Sequence, residues 1–82
     1  MKLKVGEREL ETVSWSVGGF MAHGLDDLEP KDRFTGMMEP EGGPVSKFTG
    51  QVTRVEDDGA RAVRFVEVDL STLLALQNKS DA

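Results

Sequence analysis

The chain has no cysteine and no tyrosine, and it has a single histidine and a single tryptophan. The lack of cysteine excludes disulfides, thiolate metal ligands and thiol nucleophiles, and it fits a reducing compartment. His23 alone cannot supply the several ligands that a histidine metal site needs, and it reads as a surface or strand-edge residue. None of Ser14, Ser16, Ser46, Ser71 and Ser80 stands in a Gly-x-Ser-x-Gly setting. The carboxylates Asp26, Asp27, Glu29 and Asp32 fall close together, but without the glycine and distal glutamate of a calcium loop, so they read as a solvated loop. Paired catalytic carboxylates need a cleft to shift their proton affinity, and 82 residues leave little room for one. The expectation is a protein that performs no catalysis and carries no metal or cofactor.

Basic residues are also scarce, 10 Lys and Arg against 15 Asp and Glu, for a formal net charge of -5. That balance repels a phosphate backbone and argues against a nucleic-acid polymer as partner. A local basic or amide-rich patch can still receive a small anion. Long apolar runs are missing too, since none approaches the roughly 20 residues of a membrane span. The opening Met1-Lys2-Leu3-Lys4-Val5 gives way at once to Gly6-Glu7-Arg8-Glu9, which does not read as a signal peptide. A cytoplasmic protein with no membrane insertion is expected.

Nine glycines and three prolines are present, and helix formers gather only near the end. This punctuation favours short strands and turns over a single domain spanning 1–82. Leu3 and Val5 alternate with lysines as a first strand, and Gly6-Glu7 forms a turn. Arg8 to Val17 makes a second strand, in which Leu10 is out of phase with Val13, Trp15 and Val17, so a bulge is expected. Phe20 to His23 is a third strand, and Gly24 to Asp32 is the acidic loop. Phe34, Gly36 and Met38 alternate as a fourth strand, before the turn Glu39-Pro40-Glu41-Gly42-Gly43-Pro44. Val45 to Val55 follows, with Phe48, Gly50 and Val52 on one face. Asp57-Asp58-Gly59 is a hairpin signal, and Ala60 to Val68 pairs back. Asp69 caps a helix over about 69–78 with Leu70, Leu73 and Leu74 on one face, and a frayed tail covers 79–82. The architecture that follows is mostly β: a small six-stranded antiparallel barrel, closed to avoid exposed edges, with a C-terminal α-helix over one end.

The run Ser14-Trp15-Ser16-Val17-Gly18-Gly19-Phe20 is the most informative in the chain. Paired glycines at a strand end let a ligand approach the backbone closely, and amides left free there can meet an anion. Trp15 is a core or barrel-mouth anchor, or alternatively a stacking platform for a base or peptide. Lys2, Lys4, Arg8 and Arg33 are scattered along the sequence. Arg61 and Arg64 share a strand but point to opposite faces.

These segments together resemble the PilZ domain family. The family's Asp-x-Ser-x-x-Gly motif corresponds to Ser14-Trp15-Ser16-Val17-Gly18-Gly19, with Ser16 and Gly19 matching and Ser14 in place of the aspartate. Pro30-Lys31-Asp32 resembles the turn before the next strand, and Gly50-Gln51-Val52-Thr53-Arg54-Val55 a later strand. Ala62-Val63-Arg64-Phe65-Val66 resembles the closing Gly-Val-x-Phe strand, with Ala62 for the glycine. The resemblance covers roughly residues 8 to 76. It implies a split-barrel receptor for cyclic di-GMP, a bacterial second messenger, with a switch role and no catalysis. The site it implies is Ser14, Ser16, Gly18 and Gly19, with Trp15 for stacking.

The family's Arg-x-x-x-Arg segment would lie before Met1. Each charge-assisted hydrogen bond contributes on the order of 1.5–3 kcal/mol. Two missing arginines therefore remove about 3–6 kcal/mol, roughly a hundred- to ten-thousand-fold in affinity. The expected reading is a regulatory domain with a degenerate ligand motif, in which cyclic di-GMP binds weakly or not at all and a protein partner takes over. The alternative is a working receptor whose arginines lie on a preceding segment. An unrelated SH3-like or oligonucleotide-binding barrel is a third possibility, against which the acidic balance and few aromatics count. The C-terminal leucines also allow a homo-oligomer.

Overall fold

A computed structural model describes residues 1–39, 45–69, 72 and 74. Among these residues six strands form: β1 (Lys2–Val5), β2 (Arg8–Ser16), β3 (Gly19–Ala22), β4 (Arg33–Glu39), β5 (Ser46–Val55) and β6 (Arg61–Val68). They close into an antiparallel barrel in the order β1-β2-β3-β6-β5-β4, with β4 pairing back to β1. The expected mostly β fold and closed six-stranded barrel are therefore present.

Local chemistry explains the turns. Gly6 and Gly59 take left-handed φ values of 62° and 91°, as tight connections between antiparallel strands require. The expected bulge in β2 lies between Thr12 and Ser14, which leaves Val13 exposed. In β5 the inward positions Ser46, Phe48, Gly50 and Val52 alternate with outward ones, as the period-2 pattern requires.

The core is built around Phe48. Its ring packs edge-on against Phe20, Phe34 and Phe65, with centroids 5.6, 5.8 and 5.8 Å away. Such edge-to-face pairs add about 0.5–1.5 kcal/mol each beyond area burial. All four phenylalanines of the chain belong to this cluster. Gly36 and Gly50 give the rings room: a Cβ on Gly36 would stand 3.1 Å from Phe48, and one on Gly50 would stand 2.6 Å from Val63.

Residues 23–32 connect β3 to β4 and close one end of the barrel. The acidic side chains are exposed, as expected of a solvated loop, but Leu25 is fully buried in the core cluster. The loop is thus a cap as well as a connection, and the sequence reading did not foresee its apolar plug.

The expected helix over about 69–78, including Leu70 and Leu73, and the frayed tail 79–82 lie outside the described residues, apart from Asp69, Thr72 and Leu74. Thr72 and Leu74 have helical conformation, but two separate residues do not define a helix. Of this pair the buried one is Thr72, whose Oγ1 donates to Ser46 Oγ at 2.6 Å. Leu74, expected on an inward leucine face, is 53% exposed.

Candidate functional site

The Ser14–Gly19 run forms the end of β2, a two-residue turn and the start of β3. Trp15 pairs with Phe20 and packs against the core, half-buried, so its main role is that of an anchor. Ser14 and Ser16 alternate with it and face outward. Around them lies an open groove of about 470 Å³ across β2, β3 and β6. Its lining includes Ser14, Trp15, Ser16, Gly18, Gly19 and Arg64. All five residues singled out from the sequence thus meet at one surface, and β6 adds an arginine to them.

The two glycines have different jobs. A Cβ on Gly19 would overlap the Val63 carbonyl oxygen, so glycine is required there for β3 to approach β6. At Gly18 a Cβ would find open space, with Ser16 Oγ 3.8 Å away. The Gly18 amide is not free to meet an anion, because it donates to Ser16 Oγ at 3.2 Å. The Gly18 carbonyl in turn accepts from the Phe65 amide at 3.0 Å. The close backbone approach expected at this turn is therefore made to β6. The serine hydroxyl still keeps its own hydrogen to donate.

Strand register sets a row of side chains beside this turn. Ser16 pairs with Gly19, Gly19 with Arg64, Arg64 with Gln51, and Gln51 with Arg33. Directly opposed residues share a face, so this row crosses β2, β3, β6, β5 and β4 on the outside of the barrel. Arg64 Nη2 donates to Gln51 Oε1 at 2.9 Å, and Gln51 Nε2 donates to the Lys31 carbonyl at 3.3 Å. Lys31 has a left-handed φ of 79°, uncommon outside glycine, and its amide is tied to the Val52 carbonyl at 2.8 Å. The Arg64 guanidinium is thereby held through the Gln51 side chain, which is itself anchored on the Lys31 carbonyl of a pinned loop.

The remaining arginines are occupied. Arg8 makes a two-pronged contact with Asp27 at 2.6 and 3.1 Å. Arg54 contacts Glu56 at 2.8 Å. Arg61 is 7% exposed and donates to the carbonyls of Leu28, Gly59 and Asp26 at 3.0, 2.7 and 3.1 Å. Asp26 and Glu29 lie 3.7 and 3.9 Å from its guanidinium. The acidic loop therefore serves Arg8 and Arg61, and among the described residues no cluster of three or more His, Asp or Glu side chains could hold a metal ion. His23 is exposed, 3.4 Å from Asp58.

A second groove of about 490 Å³ lies along β1. Its lysines stand in register with glutamates, Lys2 beside Glu11 and Glu39, Lys4 beside Glu9. Charge there is balanced within the sheet, in contrast to the Arg64 groove.

Compared with protein-family models, with curated proteins and with solved structures, the chain finds no match in any of the three.

Sequence reasoning missed Arg33 and Arg64 as neighbours. They are far apart in sequence, and only the pairing of β4, β5 and β6 brings them into one row. Nothing local to Arg64 distinguishes it from any exposed arginine.

Proposed function

We propose that this chain is a non-enzymatic regulatory domain of the PilZ type, acting in bacterial cyclic di-GMP signalling in the cytoplasm, with a degenerate ligand motif and protein contacts as its main means of action. The observation that carries this reading is convergence. Residues from three separate segments that resemble the family line a single groove: all of the Ser14–Gly19 run except Val17, Thr53 of the Gly50–Val55 segment, and Ala62–Arg64. A closed antiparallel barrel is the scaffold that the family resemblance implies, and it offers this groove on a rigid wall.

Degeneracy follows from chemistry at the same place. Ser14 puts a neutral hydroxyl where the family has a carboxylate, and the Gly18 amide is spent on Ser16. A neutral acceptor makes hydrogen bonds about half as strong as an ionised one. Titration calorimetry of the 82-residue chain with cyclic di-GMP tests the reading. The expected result is an affinity at least about a hundredfold below that of a micromolar receptor. A low-micromolar dissociation constant would instead mark a working receptor.

A further inference from the structure

Arg33 and Arg64 are the two arginines with no carboxylate contact among the described residues, although the chain holds 15 acidic side chains. Both are exposed, and they flank Gln51 in a single cross-strand row. An acidic protein that pairs its other arginines and leaves two aligned ones open has a local surface whose charge is opposite to its net charge.

We propose that this row is a phosphoryl-binding subsite, with Arg64 as its central cation. The inference rests on reading the β2–β3–β6 groove as a docking surface, and it names the chemical group that surface takes: the phosphoryl oxyanion of a small phosphate ester. Three features support it. Arg64 has five N–H donors and uses one of them on Gln51, so it is oriented yet retains donors for an oxyanion. Gly19 carries no side chain, so none stands between Ser16 and Arg64 in the groove that all three line. Adjacent strands lie about 4.8 Å apart, so Ser16 and Arg64 stand about 10 Å apart at the backbone, one on each side of Gly19. The Ser16 hydroxyl, accepting from Gly18, keeps a hydrogen to donate to a ligand in the groove. Arg33, one strand beyond Gln51, adds positive potential from the other side.

A guanidinium suits this task because its planar fork matches the geometry of phosphate oxygens. Gln51 contributes orientation, since it fixes the fork without neutralising it as a carboxylate would. Arg64 is therefore the binding residue and Gln51 the positioning one.

Nuclear magnetic resonance titration of the ¹⁵N-labelled chain tests this, with inorganic phosphate and cyclic di-GMP as probes and chloride at matched ionic strength as the control. Phosphate at millimolar concentration is expected to shift the Arg64 Nε, Gln51 side-chain and Gly19 amide signals, while chloride does not. Arg64→Ala, an exposed change that leaves the core untouched, should weaken the response about tenfold or more, and Arg33→Ala by less. Equal shifts with chloride, an unchanged response in Arg64→Ala, or shifts confined to the Lys2 and Lys4 side would overturn the subsite. The two probes keep the readings apart. If cyclic di-GMP binds in the groove and Arg64→Ala has no effect, the subsite fails while the PilZ reading stands. If phosphate binding depends on Arg64 but cyclic di-GMP produces no shifts in the groove, the subsite stands and the weak or absent cyclic di-GMP binding expected of the degenerate motif is met; tight cyclic di-GMP binding would instead overturn the degenerate reading.

Discussion

Arg61 and Arg64 occupy the same strand, but one is sealed inside the cap and the other lies open on the wall. The Arg61 guanidinium satisfies three backbone carbonyls of the loops at the barrel end, with two carboxylates close by. Arg64 meets one glutamine and is otherwise exposed. The first arrangement spends a charge on holding two loops together. The second preserves a charge and aims it. The lesson is that in this protein an arginine's role follows from what its surroundings leave unsatisfied, which residue type and spacing do not reveal.

The largest effect should come from the cap. Leu25→Ala removes a fully buried plug, and urea denaturation is expected to show a loss of about 2–5 kcal/mol. A loss below about 0.5 kcal/mol, the usual range for a surface change, would mean that the loop does not share the core. Next comes the arginine pair itself. Arg61→Ala strands carbonyls from Leu28, Gly59 and Asp26 and should cost about 2–4 kcal/mol. Arg64→Ala should stay within about 0.5 kcal/mol in the same assay. Equal losses for the two would erase the contrast.

The two turn glycines sharpen the contrast at smaller scale. Gly19→Ala drives a methyl into the Val63 carbonyl, and thermal unfolding should report a loss of about 1–3 kcal/mol. Gly18→Ala has space and should change stability by less than about 0.5 kcal/mol.

The smallest effect belongs to Arg8 and Asp27 on the exposed side of the cap. The hydrogen bond from Arg8 is the main cause that holds the Asp27 carboxyl below its ordinary value, and the same bond raises the Arg8 guanidinium. A carboxyl with a lowered folded-state value stabilises the protein above its unfolded value and loses that contribution as pH falls through the folded one. The melting temperature of the native chain should therefore exceed that of Asp27→Asn slightly at neutral pH. The gap should close in acid below the ordinary carboxylate range, and added salt should shrink it because both groups are exposed. A gap independent of pH would assign the effect to something other than this ion pair.

Much of the wall was legible residue by residue. The alternation of Phe48, Gly50 and Val52, the Asp57-Asp58-Gly59 turn and the bulge near Val13 are local patterns, and the strands carry them as expected. The turn between Ser16 and Gly19 was legible too, with its glycines and outward serines. The Leu25 plug was not, because a lone leucine among carboxylates has no periodicity to betray it.

The sequence by itself determined that the chain would be short strands and glycine turns with a small apolar core, because side-chain alternation and backbone preference act between near neighbours. Tertiary structure alone decided that β3 would lie against β6, that Arg61 would face loop carbonyls, and that Arg33, Gln51, Arg64 and Ser16 would share one row. The reason is that register between distant strands is set by closing the barrel around Phe48, and a one-residue slip would send every one of those side chains to the opposite face.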